Sequence, residues 1–126
     1  MDDAKTVLIV DDEPHILRSL GFVVRRAGYN VVEARGGREA LELIEEHNPD
    51  LVFLDIMMPE LDGYEVCRRV KSAEDGSSTF IIMLTAKGQR TDREVGLEAG
   101  ADEYMTKPFS PSRAVERVQE ILGPPR

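Results

Sequence analysis

The sequence is short of the features that mark extracellular, membrane and nucleic-acid-binding proteins. Its 126 residues include one cysteine, Cys67, which cannot form a disulfide within the chain. No apolar run approaches the roughly 20 residues that a membrane-spanning helix needs, and the first six residues lack the apolar run of a signal peptide. Acidic residues outnumber basic ones by 24 to 16, and the net charge of −8 repels nucleic acid and anionic lipid. We therefore expect a cytoplasmic protein that binds neither nucleic acid nor membranes directly.

Common catalytic and nucleotide-binding motifs are also missing. Gly36 and Gly37 do not form a phosphate-binding loop, because neither the Walker pattern nor G-x-G-x-x-G is present. His15 and His47 occur in no recognised ligand spacing, and solvated or capping histidines are commoner. Cys67 lies on the apolar stripe of a predicted helix, which favours a small core residue over a reactive thiol. None of these residues is assigned a role in chemistry.

Short apolar runs recur along the chain and predict five β-strands. Their apolarity is continuous, which is typical of strands covered on both faces, as in a parallel sheet with helices on each side. A chain of this length has room for one hydrophobic core. The runs are Val7–Val10, Val31–Val32, Leu51–Leu54, Phe80–Leu84 and Glu103–Met105.

The segments between these runs predict five helices. Prolines and glycines indicate where they begin or end: the first helix begins near Pro14 and ends before Gly28, the second ends before Pro49, the third begins at Asp62 or Gly63, the fourth spans roughly residues 90–99 and the fifth ends at Gly123. Alternating strands and helices predict a single α/β domain with a doubly wound parallel sheet and right-handed crossovers. We expect an ordered core over about residues 5–122, with residues 123–126 as a tail or the start of a linker. Ligands of such sheets bind at the carboxyl ends of the strands.

Carboxylates follow two of the predicted strands. Asp11 and Asp12 come directly after the first strand and precede Glu13, and Asp55 follows the third strand. Like charges held this close raise one another's pKa unless a cation neutralises them, and carboxylate oxygens suit Mg²⁺ or Mn²⁺. Asp11, Asp12 and Glu13 also fit a second interpretation, in which they only cap the first helix and complement its dipole.

Two more strand ends carry polar groups. Thr85 follows the fourth strand and Lys107 follows the fifth, so both belong to the same edge of the sheet as the carboxylates. A phosphoryl group on Asp55 would need such partners, because an ammonium and a hydroxyl can bind its oxygens. Taken singly, Thr85 is more often an ordinary strand-end residue and Lys107 a solvated surface charge.

Over roughly residues 5–122 the chain resembles the receiver domain of bacterial two-component response regulators. The resemblance rests on the first strand with its acidic pair, on the segment that follows the third strand, and on the ends of the last two strands. These motifs are Val7–Glu13, Asp55–Gly63, Thr85–Ala86, Ala101–Tyr104 and Lys107–Phe109.

The resemblance implies a flavodoxin-like receiver fold of strand order 2-1-3-4-5, with Asp55 as the phosphoacceptor. It implies that Asp12 binds Mg²⁺ directly, that Asp11 binds it mostly through water, and that Met57 contributes its backbone carbonyl, with Mn²⁺ as a substitute cation. It also implies a cis peptide bond before Pro108. The role of Glu13 stays open.

The resemblance further implies a signalling switch rather than an enzyme in the ordinary sense. Asp55 would take its phosphoryl group from a sensor histidine kinase or a phosphotransfer protein, and Thr85 and Tyr104 would move together in response. The fourth helix, fifth strand and fifth helix would then change as a binding face, which could also form a homodimer. Tyr104 is equally typical of a half-buried strand aromatic.

Two other functions stay open for this sequence. A degenerate receiver would only bind partners, although that predicts the loss of an acidic or lysine residue, and none is lost. A phosphohydrolase with an aspartate nucleophile of the haloacid dehalogenase kind would need a second acidic residue two positions after Asp55, where this chain has Met57.

Overall fold

Five parallel strands form one sheet in the computed structural model, which describes residues 4–72, 78–86 and 99–126. The strand order is β2-β1-β3-β4-β5, as the family resemblance implies. The fold class and the strand order are therefore confirmed. The strands are β1 (Thr6–Val10), β2 (Asn30–Ala34), β3 (Leu51–Asp55), β4 (Phe80–Ala86) and β5 (Glu103–Lys107).

The described residues contain four helices. They are α1 (Pro14–Arg26), α2 (Gly37–His47), α3 (Gly63–Ser72) and α4 (Pro111–Leu122). The helix predicted at about residues 90–99 lies outside the described part of the chain, so α4 here is the fifth helix of the sequence prediction. No helix within the described ranges is long and apolar enough to cross a membrane.

The helix ends follow from local residue chemistry. Pro14 stands in the first turn of α1, where its missing N–H costs no helical hydrogen bond. Gly28 follows α1 with a φ of 103°, a left-handed conformation that favours glycine. Asn48 ends α2 in the left-handed region, with a φ of 47°, and asparagine tolerates that region better than most residues. These ends were predictable because each residue acts on its own backbone.

Hydrophobic residues cover both faces of the sheet. Two successive residues of β1 belong to different clusters. Leu8 belongs to a cluster that α2 and α3 cover, and Ile9 belongs to a second cluster that α1 and α4 cover. Leu8 and Ile9 are both buried, as are all five residues of β3. Burial on both faces is the reason that the strand sequences are continuously apolar.

The register of the strands brings their carboxyl ends to one edge. In β3 and β4, Asp55 is paired with Leu84, so Thr85 lies one residue further along the neighbouring strand. In β4 and β5, Thr85 is paired with Thr106, and Lys107 follows at the next position. The polar residues predicted to share an edge therefore do share it.

The last residues of the chain pack on the opposite, amino edge of the domain. The amide of Lys5 donates a hydrogen bond of 2.7 Å to the carbonyl oxygen of Pro125. The hydroxyl of Tyr29 donates to the carbonyl oxygen of Gly123. Residues 123–126, predicted as a tail or the start of a linker, thus contact the N-terminal segment and the turn after α1.

Candidate functional site

Asp11 stands directly after β1 and is fully buried. Its Oδ1 atom accepts a hydrogen bond of 2.9 Å from the amide of Glu13. Its Oδ2 atom lies 2.9 Å from the ammonium nitrogen of Lys107. No donor in the described residues reaches Oδ2 with hydrogen-bond geometry, so Lys107 balances this oxygen by charge. One oxygen of this buried carboxylate thus has no hydrogen-bond donor among the described residues.

Asp55 is the last residue of β3, and only 4% of its surface is exposed. Its Oδ1 atom accepts a hydrogen bond of 3.3 Å from the amide of Met57. The same Oδ1 atom lies 3.4 Å from the ammonium nitrogen of Lys107. Asp55 and Asp11 therefore share one ammonium group, which lies closer to Asp11.

Lys107 is the last residue of β5 and precedes a cis peptide bond to Pro108, as the family resemblance implies. Its ammonium nitrogen also lies 3.9 Å from Oε2 of Glu13. Burial acts to lower the pKa of Lys107. The close contact with Asp11 and the charges of Asp55, Asp11 and Glu13 outweigh that effect, so its pKa is raised. Lys107 stays a cation at the centre of the carboxylates.

One ammonium group does not neutralise this site. Burial, and next the negative charge of Asp11, raise the pKa of Asp55 to about 6. The charge and hydrogen bond of Lys107 and the amide of Met57 act in the opposite direction without cancelling the rise. Because the carboxylate form of Asp55 is disfavoured, a second cation nearby would stabilise it.

The three aspartates form a group that could hold a metal ion. One carboxylate oxygen from each of Asp11, Asp12 and Asp55 lies within 4.8 Å of the others. All three donors are hard carboxylate oxygens, and Oδ2 of Asp11 has unused acceptor capacity. Such a set fits Mg²⁺ or Mn²⁺, which prefer oxygen ligands. Asp12 is exposed, so the site is open to solvent on one side.

The other predicted site residues are Thr85, Tyr104 and Met57. Thr85 is buried, with 5% of its surface exposed, and Tyr104 is half-buried against the cluster under α2 and α3. The side chain of Met57 is 68% exposed, so only its backbone is close to Asp55. The roles predicted for these residues stay predictions; Thr85 and the backbone of Met57 lie at the carboxyl edge, whereas Tyr104 lies within β5 beside Met83.

Gly63 is a residue of the site that sequence reasoning used only as a helix start. A Cβ atom at Gly63 would overlap the carbonyl oxygen of Asp55 and lie 2.9 Å from Cα of Ile56. The absence of a side chain thus lets α3 begin directly against the backbone that carries Asp55. The Asp62-Gly63 pair was the available signal, but a sequence does not show which backbone a glycine contacts.

Comparisons with known proteins agree with this site and fold. The model of the response regulator receiver domain family matches residues 7–119. The alkaline phosphatase synthesis transcriptional regulatory protein PhoP of Bacillus subtilis is 48% identical over 118 residues, which cover 94% of this chain and 48% of that protein. The chain thus spans about half the length of the curated relatives it matches.

Solved structures give the same result. A response regulator from Chloroflexus aurantiacus is 42% identical with a TM-score of 0.88, and the match covers 95% of this chain and 98% of that one. The receiver domain of a sensor histidine kinase from Pseudomonas aeruginosa, solved with a magnesium ion coordinated in its active site cleft, is 32% identical with a TM-score of 0.85. That match also covers 95% of this chain and 98% of the other.

The chain belongs to the response regulator receiver domain family, the receiver domains of two-component signalling systems.

Proposed function

We propose that this domain accepts a phosphoryl group on Asp55 in a magnesium-dependent reaction and passes the signal on through a protein-binding face. The observation that carries the proposal is the setting of Asp55. Its carboxylate ends a buried strand, lies 3.4 Å from Lys107 and belongs to a group of three aspartates that could hold a cation. A nucleophile, a fixed positive charge and a metal-binding group therefore occupy one edge of the sheet.

The proposed donor is the phosphohistidine of a sensor histidine kinase or of a phosphotransfer protein. A carboxylate oxygen of Asp55 forms a bond to phosphorus while the bond between phosphorus and the histidine nitrogen breaks. The imidazole of the donor leaves with the bonding electron pair and takes up a proton. The product on this chain is an acyl phosphate, and its loss to water resets the domain. Within this proposal the domain assists its own modification and is not an enzyme with a separate substrate.

The residues that would hold magnesium are Asp12 directly, Asp11 mostly through water, Asp55, and Met57 through its backbone carbonyl. When bound, Mg²⁺ would neutralise negative charge on the carboxylates and on the phosphoryl oxygens. Mn²⁺ would serve as a substitute, because it accepts the same oxygen donors. The magnesium ion in the cleft of the Pseudomonas aeruginosa receiver domain supports this assignment.

Lys107 and Thr85 would act on the phosphoryl group itself. Lys107 already lies beside Asp55, so its ammonium can pair with a phosphoryl oxygen once Asp55 is modified. Thr85 is buried at the end of the neighbouring strand, where its hydroxyl can donate a second hydrogen bond. Transfer of a phosphoryl group needs mainly such positioning and charge stabilisation.

Movements of Thr85 and Tyr104 would carry the proposed signal from Asp55 to the protein-binding face. Thr85 would move toward the phosphoryl group, and the ring of Tyr104 would follow into the space it leaves. Tyr104 lies on β5, and its half-buried ring packs on the cluster under α2 and α3. The responding face would include β5, α4 and the helix predicted at about residues 90–99, and it could form a homodimer. The proposed location of the domain is the cytoplasm, together with its proposed phosphodonors.

Mass spectrometry after incubation with acetyl phosphate and Mg²⁺ tests the proposal. We expect one phosphoryl group per chain, none in Asp55→Asn, and none when EDTA removes the metal. Asp50→Asn is the matched control, since Asp50 precedes the opposite end of the same strand, and it should be modified as the natural sequence is. The absence of any adduct would favour a domain that only binds partners. An adduct that persists in Asp55→Asn would overturn the assignment of Asp55.

A further inference from the structure

Two adjacent glycines, Gly36 and Gly37, differ in what surrounds them. A Cβ atom at Gly36 would meet no atom of residues 4–72, 78–86 or 99–126 within 4 Å, and the φ of Gly36, −161°, is extended backbone that any residue adopts. A Cβ atom at Gly37 would overlap the carbonyl oxygen of Leu61 and lie 2.9 Å from Cβ of Leu61 and 3.1 Å from Cγ2 of Val66. Backbone atoms do not yield as the end of a flexible side chain does. Gly37 therefore allows α2 to begin directly against the backbone of Leu61.

Leu61 belongs to the loop of residues 56–62, which joins β3 to α3. The loop begins beside Asp55, and the amide of Met57 donates to Oδ1 of Asp55 at 3.3 Å. Near its end, the amide of Leu61 donates to the carbonyl oxygen of Pro59 at 2.8 Å. Only three residues therefore stand between Met57 and Leu61, whose carbonyl group lies against Gly37.

The part of the loop next to Asp55 is anchored in the core on both sides of Met57. Ile56 and Met58 are buried in the cluster under α2 and α3, with 2% and 9% of their surfaces exposed. The amide of Gly63 donates to the carbonyl oxygen of Ile56 at 3.1 Å, which ties the two ends of the loop together. A displacement of Leu61 would reach Met57 through Asp62 and Gly63, because Gly63 is hydrogen-bonded to the residue before Met57, and it would change the position of the Met57 amide and carbonyl groups.

We propose that Gly37 is a positioning residue for phosphoryl transfer to Asp55. Its lack of a side chain lets α2 pack on Leu61 and holds the loop so that the backbone of Met57 lies correctly beside Asp55. The inference rests on the proposed function, because it assigns Gly37 a part in the same reaction. Gly37 touches neither Asp55 nor a phosphoryl group and acts only through the loop.

The test compares Gly37→Ala with Gly36→Ala, which adds the same methyl group one residue earlier. Two readouts are taken: the amide resonance of Met57 in metal-free protein by NMR, and the rate of phosphorylation by acetyl phosphate with Mg²⁺. Val118→Ala removes buried volume from the other face of the sheet and serves as a control for lost stability. We expect Gly37→Ala to shift the Met57 amide and slow phosphorylation about 10-fold or more, as for other residues that support a metal site. Gly36→Ala and Val118→Ala should leave both readouts close to those of the natural sequence.

Each outcome decides the proposal. A natural rate and an unshifted Met57 amide in Gly37→Ala would overturn it, and an equal loss of rate in Val118→Ala would show that stability alone is involved. If Gly37→Ala does not fold, Leu61→Ala gives the same two readouts, because it loosens the loop while Gly37 stays. If the natural sequence takes up no phosphoryl group, the proposed function fails, whereas the Met57 amide still shows whether Gly37 positions the loop.

Discussion

The two edges of the sheet each hold a lysine–aspartate pair, and the pairs differ in how far their polar atoms are satisfied. At the amino edge, Lys71 lies 2.7 Å from Oδ2 of Asp102 and also donates to the carbonyl oxygen of Thr79 at 2.6 Å. The same Oδ2 atom accepts a hydrogen bond of 2.8 Å from the amide of Ile81. This pair joins the end of α3 to the start of β4, and both of its charged atoms have further partners.

The pair at the carboxyl edge is built differently. Lys107 lies 2.9 Å from Oδ2 of Asp11, and that oxygen has no well-aligned donor within the described residues. Asp55 shares the same ammonium group, and its pKa is raised to about 6. The comparison teaches that a fully hydrogen-bonded pair serves the structure, whereas incompletely neutralised carboxylates suit the cation and the phosphoryl group of the proposed function.

The largest expected effect comes from breaking the satisfied pair. Asp102→Ala removes the ion-pair partner of Lys71 and the acceptor of the Ile81 amide, and we expect the free energy of unfolding to fall by about 2 to 3 kcal/mol. Urea denaturation measures this change. Phosphorylation of Asp55 should persist in the folded fraction, since Asp102 lies at the far edge. A fall below about 1 kcal/mol would contradict the structural role of the pair.

At the carboxyl edge, removing the charge of Asp55 should raise the stability of the folded state, whereas removing that of Asp102 lowers it. In the unfolded chain the pKa of an aspartate is about 3.9, and in the folded chain that of Asp55 is raised to about 6. The folded state therefore binds this proton more tightly, so the stability it confers is present below pH 3.9 and is lost as the pH rises through 6. Asp55→Asn should thus stabilise the metal-free protein by about 2 kcal/mol at neutral pH.

The pH dependence distinguishes this effect from a general one. In EDTA, the advantage of Asp55→Asn over the natural sequence should disappear below about pH 4. Asp50→Asn is the control, and it should show no comparable gain between acidic and neutral pH. An advantage for Asp55→Asn that is the same at all pH values would mean that the charge of Asp55 is not its cause.

Magnesium should stabilise the carboxyl edge, because it would neutralise carboxylates that Lys107 alone does not. At roughly ten times its dissociation constant, a ligand that binds only the folded state adds about 1.4 kcal/mol to stability. We expect thermal unfolding at neutral pH to shift upward with Mg²⁺ in the natural sequence and not in Asp12→Ala. An equal shift in both would place the cation away from Asp12.

The smallest effect is expected for an ion pair at neither edge. Arg113 and Glu120 lie on α4 with 3.5 Å between their charged groups, and more than half of each side chain is exposed. Solvent screens such a pair, so Arg113→Ala should change stability by less than about 0.5 kcal/mol. The urea denaturation curve and the phosphorylation of Arg113→Ala should both match those of the natural sequence. A larger loss of stability would show that the exposure of this ion pair does not predict its contribution to stability.

Much of the fold and the membership of the site followed from the sequence. Continuous apolar runs predicted a parallel sheet, because both faces of such a sheet are covered. The residues that follow each run were therefore expected to meet at one edge of the sheet. Asp11, Asp55, Thr85 and Lys107 were named for that reason, and all four lie there. The helix ends were predictable because proline and glycine act on the backbone next to them.

Other features depended on contacts between distant segments. That Lys107 lies closer to Asp11 than to Asp55 follows from the packing of three strand ends, and no spacing in the sequence encodes the two distances. Gly36 and Gly37 are alike in sequence, but among the described residues an added Cβ atom would overlap another segment at Gly37 and not at Gly36. By itself the sequence determined which residues stand at the edge of the sheet, because strand periodicity and strand ends are local. Only the tertiary structure decided which charges are left unsatisfied and which backbone groups hold the loop beside Asp55, because those depend on how helices and loops pack against one another.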